Sequence, residues 1–442
     1  MKWIQLKSFS SLSPSYPAAW LLFGLLFAQG LAHFIGASWV RGMTLLYYLL
    51  AAAWVAGLAW RHRARLWNLN VIDSLFLAFL LFVLVSFALS GEVTDGARKF
   101  ASYLPFMMIV PYVCGRLMCL RDINVLMRIV LIAGAILLPL LLIDRLVSQE
   151  REGGRWAFFG LDHGALAAGA LLATVLVALC VRILSFRGIA ERDNQPKQFL
   201  LYGLLGFVAI FLVWVTARGW LLAGLVGVVV ACLSARHSAI TKRIWILAAL
   251  LAIVWLSFSV LPKLDPYFGR FYAMPMDMGG LHVGSIQDKA GSILGEASCK
   301  PFGEGVNSVA MRWVLYQEAI AMFLEHTIFG VGTSRFGEQS CAGSGGYPHS
   351  TILQGLAELG LIGGGLLIAL LILAAITQLR LMLSIKTWQS SQANAFVLAL
   401  FVTFILADQV YGNYFMATGT WLLLGVTASM RVREYAGDES RG

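Results

Sequence analysis

Twelve apolar runs, most about 18–22 residues long, divide the 442-residue chain and constrain it more than any other feature. They lie near 17–36, 42–60, 71–90, 100–118, 123–143, 158–181, 198–216, 219–235, 244–262, 352–378, 393–410 and 414–430. At 1.5 Å per residue, about 20 residues of helix cross a hydrocarbon core roughly 30 Å thick. Inside that core each segment must satisfy its own backbone polar groups, which leaves helix as the spanning structure for such runs. The expected fold class is an all-α integral membrane protein with about twelve transmembrane helices. Only 13% of residues are charged, against about 25% in a soluble domain, so a soluble enzyme of this length is excluded. Disorder is excluded by the abundance of apolar side chains. Ala217-Arg218 alone separates the seventh and eighth runs, which marks a tight re-entry.

The net charge is +10. With the N-terminus inside, the inner segments carry 19 of the 33 cations, among them Arg61, Arg63, Arg65, Arg116, Arg121, Arg182, Lys242, Arg243, Arg380 and Arg431. This excess predicts both termini in the cytoplasm. It accounts for the basic charge without nucleic acid, and no basic stripe with interleaved aromatics is present. The opening Met1-Lys2-Trp3 leads into Ser and Pro rather than into a signal-peptide core and cleavage site, so the first span is expected to be its own insertion signal. Cys114, Cys119, Cys180 and Cys232 lie in or beside spans as packing residues, and no C-x-x-C pair supports a metal or redox site.

One long hydrophilic segment, 263–350, separates spans one to nine (1–262) from spans ten to twelve and a cytoplasmic tail (351–442), and it is expected outside as a lid domain. Its first part, Gly279-Gly280 to Gly305, is rich in Gly and Ser. Then Val309, Trp313, Tyr316, Ile320 and Phe323 recur at spacings of three and four, which predicts an amphipathic helix lying over the membrane domain. Asn307 or Ser308 can cap its start, and Gly330 or Gly332 can end it. Cys299 and Cys341 share this segment; in an oxidising compartment they are either a disulfide or two free thiols.

Three ionisable residues of the outer side stand out. Arg218 interrupts the apolar stretch from Leu212 to Val230. It is a headgroup anchor or a functional group, and its outward position favours function, because anchoring cations belong inside. Arg312 lies on the amphipathic helix, and His349 opens the tenth span in Tyr347-Pro348-His349-Ser350-Thr351. Taken singly, Arg312 is ambiguous and His349 reads as a boundary residue. Together they form a chemical set: two planar guanidiniums suit a pyrophosphate. One imidazole suits removal of a proton from a sugar hydroxyl. An apolar wall suits a polyprenyl tail. The implied reaction is glycan transfer from a lipid pyrophosphate to a hydroxyl.

At these residues the sequence resembles the bacterial O-antigen ligase family, within the O-antigen ligase/polymerase superfamily. The motif H-[NSQ]-x9-G-x-x-[GTY] is met by His349-Ser350 and Gly360-Leu361-Ile362-Gly363, and R-x3-L by Arg218 and Leu222. Arg312-Trp313 and the run His326-Thr327-Ile328-Phe329-Gly330-Val331-Gly332 with Phe336 resemble the superfamily's helix and Gly turn before the His motif; Thr327 stands where many relatives have Pro. The resemblance implies a membrane-embedded, inverting, metal-independent glycosyltransferase of the bacterial inner membrane with no cofactor. It implies an undecaprenyl-pyrophosphate-linked glycan as donor and lipid A–core as acceptor, with the large loop and the active site in the periplasm. It also implies that His349 is the general base and that Arg218 and Arg312 bind the pyrophosphate. The sequence agrees on metal: no D-x-D lies in any outer segment, the nearest being Glu150-x-Glu152.

Arg155 and His163 at the start of the sixth span, and Arg98 and Lys99 before the fourth, either bind acidic groups of the substrates or anchor headgroups. Asp408 is a candidate to orient His349 or the acceptor, Glu358 is a charge inside an apolar run that can pair with a neighbouring helix, and Gly360–Gly365 reads as a close-packing cluster. An O-antigen polymerase or a protein O-oligosaccharyltransferase shares the donor and differs in acceptor. A transporter or flippase fits twelve spans, but no internal repeat supports it.

Overall fold

The computed structural model describes residues 13–22, 40–89, 101, 103–147, 151–152, 155–156, 164–185, 195–215, 217–235, 238–264, 308–340, 346–384 and 388–439. The helices are α1 (Val40–Arg61), α2 (Arg63–Trp67), α3 (Val71–Leu89), α4 (Val110–Leu117, entered through a π-helical turn Leu104–Ile109) and α5 (Leu120–Val147). They continue with α6 (Gly164–Leu184), α7 (Gln195–Trp214), α8 (Arg218–Ser234), α9 (Ile240–Leu264), α10 (Ser308–Glu325), α11 (Thr351–Ser384), α12 (Trp388–Asp408) and α13 (Thr418–Glu439). A helical segment at 15–22 precedes them. Apart from a two-residue antiparallel pairing of Arg151–Glu152 with Arg155–Trp156, the regular structure of the described residues is helical.

Eleven of the twelve apolar runs coincide with one of these helices; most of the first, 23–36, lies outside the described residues. Six helical stretches are long and apolar enough to cross a membrane, and 104–117, 199–214 and 218–234 are shorter apolar helices. The span in α6 is 78% buried and central, whereas those in α3 and α9, at 28% and 22%, lie on the periphery.

Local chemistry fixes where helices start. Asn70 caps α3: its Oδ1 accepts the Ile72 and Asp73 amides, while the Asp73 carboxylate accepts the Asn70 amide at 2.9 Å, a reciprocal capping box. At α5 the Asp122 carboxylate accepts the Cys119 amide at 2.8 Å. The same end of α3 holds a buried ion pair. Arg116 Nε donates to the Asp73 carboxylate at 2.9 and 3.2 Å, and Tyr112 OH adds a bond at 2.8 Å. These bonds join α3 to α4. Helix α4 lies backbone to backbone on α13, since a Cβ on Gly115 or on Gly425 would stand 2.0 Å from the carbonyl oxygen of Leu422 or Tyr112. Asn70 Nδ2 and Ser429 Oγ then bond the Ala428 and Met118 carbonyls.

At the opposite end of α3, Thr333 bonds Ser86 Oγ and the Val83 carbonyl. The starts of α8, α11 and α13 and the end of α12 gather at that end, where Arg218, His349 and Asp408 stand in the chain. The amphipathic helix exists as α10, but its buried stripe differs from the expected one. Leu315, Ala319 and Met322 pack against Leu353 and Ala357 of α11, while Trp313 and Ile320 are 49% and 47% exposed. Apolar residues lie on more than one side of α10, so the 3.6 period admits several faces. Fit against Ala357 selects the one carrying small Ala319.

Candidate functional site

The His motif resolves into helix chemistry. Ser350 is the N-cap of α11, and its Oγ accepts the Leu353 amide at 3.3 Å. The position after the histidine therefore takes a short polar residue because a helix begins there. His349 has φ of 58°, left-handed backbone that few non-glycine residues adopt. Its ring stands 4.6 Å from the Tyr347 ring.

Ten residues into α11 the helix breaks at Gly360, with φ of 64° and ψ of −162°. Expected as part of a close-packing cluster, Gly360 does pack closely, since a Cβ there would stand 2.4 Å from the Ile328 carbonyl oxygen, and its φ makes it a backbone requirement as well; Gly363 approaches Phe82 closely too. The break frees four backbone groups, and the turn after α10 takes up all four. Val331 N donates to Ala357 O at 2.9 Å and Gly332 N to Glu358 O at 2.9 Å, while Leu361 N donates to Thr327 O at 2.7 Å and Ile362 N to Ile328 O at 3.3 Å. This interlock ties the Arg312 helix to the His349 helix, and it explains why the Gly turn and the motif glycine occur together.

Glu358 completes the clamp. Fully buried, it accepts the Ser334 amide at 2.9 Å, the Tyr414 hydroxyl at 2.8 Å, Gln354 Nε2 at 3.2 Å and, at 3.4 Å, the Phe336 amide. A carboxylate accepts from several donors at once, which suits four partners drawn from the turn, from α11 itself and from the segment before α13.

The short connection after α12 joins the parts. Gln409 Oε1 accepts Ser350 Oγ at 3.0 Å and the Ile352 amide at 3.2 Å, and the Gln409 carbonyl accepts Tyr316 OH at 3.0 Å. Two residues on, Tyr411 OH accepts the Gly219 amide at 3.0 Å, and the Arg312 guanidinium lies 5.0 Å from the Tyr411 ring centroid. Residues 409–411 thus touch Arg312 and the chain neighbours of Arg218 and His349, at one end of the bundle. Arg218 is the first residue of α8, just past the tight break, and is half-buried. Burial pushes the Tyr347 and Tyr316 phenols above their usual range, and the charge of Arg312 pulls both part of the way back.

The remaining candidates separate. Asp408 turns its carboxylate to Thr420 Oγ1, and its backbone carbonyl accepts Thr351 Oγ1 at 3.1 Å, so the bonds from this connection to the start of α11 run through Gln409 and the Asp408 backbone. The side chain of Arg155, together with His163, Arg98, Lys99, Cys299 and Cys341, lies outside the described residues. Cys114, Cys180 and Cys232 are buried free thiols, and Cys119 is half-buried. Sequence reasoning missed Gln409, Tyr411, Tyr316 and Arg145. Arg145 is 7% exposed, with its guanidinium 5.2 Å from the Trp214 ring at the end of α7. The available signal was the polar, aromatic run Asp408-Gln409-Val410-Tyr411-Gly412-Asn413-Tyr414 between two spans. A cavity between the far ends of α6, α8 and α12 is lined by Ser185, Ser238, Ser391 and Gln392 with apolar neighbours, with no charged side chain among the described residues.

Long apolar helices, with two arginines, a histidine and several tyrosines gathered at one end, define a multi-pass helical membrane protein with a polar surface site. Residues 200–368 match the family model described as O-antigen ligase, a stretch that runs from α7 through Arg218, Arg312 and His349 to the glycines of α11. Over that stretch the chain is similar to the O-antigen ligase family, whose members are membrane glycosyltransferase-like ligases and polymerases acting on lipid-linked polysaccharide. No curated protein matches it.

Proposed function

We propose that this protein is an O-antigen ligase, transferring O-antigen from undecaprenyl pyrophosphate to a sugar hydroxyl of lipid A–core. The observation that carries this reading is that the 409–411 connection touches Arg312 and the residues next to Arg218 and His349. Two guanidiniums bind the pyrophosphate and offset the charge that grows on it as the glycosidic bond breaks. His349 takes the proton of the acceptor hydroxyl. The hydroxyl oxygen attacks the anomeric carbon from the side opposite the pyrophosphate, which leaves with the bonding electron pair, so the configuration inverts. The two cations take the charge-offsetting part that a metal ion plays in other transferases, so the reaction is metal-independent.

On this reading the site faces the periplasm from the bacterial inner membrane, with both termini cytoplasmic. Residues 1–262 and 351–442 carry about twelve spans, and 263–350 form the lid. Transfer in vitro with purified protein and undecaprenyl-pyrophosphate-linked glycan tests it. Lipid A–core is the expected acceptor. Product on a second lipid-linked glycan would make the protein a polymerase, product on a pilin-like protein would make it an oligosaccharyltransferase, and translocation without a new glycosidic bond would make it a transporter.

A further inference from the structure

We propose that Tyr411 is a positioning residue that sets the spacing of the Arg218 and Arg312 guanidiniums; this rests on the reading of those two groups as the donor's pyrophosphate site. Tyr411 lies outside the stretch matched to the family, which ends at residue 368. Its phenol touches both arginine-bearing helices. On one side its hydroxyl accepts the Gly219 amide at 3.0 Å. That amide belongs to the first turn of α8, where no helical carbonyl is available to it, so Tyr411 supplies the missing acceptor. The ring seats this closely because residue 219 has no side chain: a Cβ there would stand 2.4 Å from Tyr411 Cε2 and 3.0 Å from its Cζ. Arg218 precedes Gly219 directly, so the phenol fixes the backbone from which that guanidinium extends.

On the other side the ring face holds the Arg312 guanidinium at 5.0 Å, a contact that restrains a long, flexible side chain near the apolar wall. Tyr411 is itself held, since its amide donates to the Ala407 carbonyl at 2.9 Å and Gln409 is bonded to the cap of α11. One phenol therefore touches both arginine-bearing helices. A pyrophosphate needs both guanidiniums at a set separation, so the spacing acts on donor binding. Gln409 of the same connection bonds the first turn of the helix that follows His349 instead.

The test compares wild type, Tyr411→Phe and Tyr411→Leu in purified full-length protein, with donor KM, kcat and amide exchange at Gly219 as readouts. Tyr411→Leu removes ring and hydroxyl and is expected to raise the donor KM about tenfold while kcat changes less than about twofold. Tyr411→Phe keeps the ring and is expected to restore most of the KM. It loses the acceptor, so exchange at the Gly219 amide is expected to rise about tenfold in this well-packed variant. A fall in kcat with KM unchanged, or Gly219 exchange unaltered in Tyr411→Phe, would overturn the proposal. Arg218→Ala and Arg312→Ala are run beside these. If neither raises the donor KM, the pyrophosphate reading itself fails and Tyr411 loses its role with it. If both do while Tyr411→Leu does not, only the positioning role fails.

Discussion

Gly360→Ala probes the joint between the two halves of the site. The residue has φ of 64° and ψ of −162°, a region open essentially to glycine, where another residue costs about 1–3 kcal/mol. An added Cβ would also stand 2.4 Å from the Ile328 carbonyl oxygen and 2.5 Å from Gly330 N. Backbone cannot yield as a flexible side chain would, so the two nearest bonds, Leu361 N to Thr327 O and Ile362 N to Ile328 O, are expected to open. At about 1 kcal/mol each and about 2 kcal/mol for the strain, the joint loses roughly 4 kcal/mol. The alanine relaxes by letting α11 run straight through, which frees the 326–332 turn. Local amide exchange reads this directly: protection at Val331 and Gly332, whose acceptors Ala357 O and Glu358 O a straight helix would reclaim, is expected to fall about 10²–10³-fold, since about 1.4 kcal/mol is tenfold. The buried Arg116–Asp73 end should keep its protection. Exchange within about threefold of wild type at these two amides, in a folded variant, would refute the argument that the interlock depends on this glycine.

Three further outcomes concern the chemistry. His349→Ala is expected to lower kcat about 10²–10⁴-fold with donor binding retained, measured by transfer and by donor binding on the same preparation; near-normal turnover removes the base assignment. Arg218→Lys and Arg312→Lys are each expected to raise the donor KM, because a point charge does not reproduce a planar fork; wild-type kinetics in both would reduce the two arginines to surface charge. Incubation with EDTA is expected to leave transfer unchanged, and a loss restored by magnesium would overturn the metal-independent mechanism.

Much of the site was legible because its motif positions are local. Ser350 caps a helix, and the α7–α8 break sits at the apolar interruption before Arg218. Other features had no local signature. Glu358 read as a charge in an apolar run that could pair with a neighbour; its partners Ser334, Phe336 and Tyr414 come from other segments, and only the assembled fold supplies four donors for one carboxylate. The stripe of α10 was misread for a related reason: Trp313 and Ile320 are as apolar as a core needs, but Ala357 offers room only to the face with Leu315, Ala319 and Met322.

The sequence by itself determined that the chain is a helical membrane protein, where its helices run, and which three ionisable residues to weigh together. Those properties follow from run length, charge and spacing, which act over a turn or a span. The tertiary structure decided that residues 409–411 touch Gly219, Arg312 and Ser350, that Gly360 is a joint as well as a packing contact, and that Asp408 bonds Thr420. Each of these joins residues far apart in the chain, and a hydrogen bond or a ring contact of that kind exists only once helices have packed and set its distance.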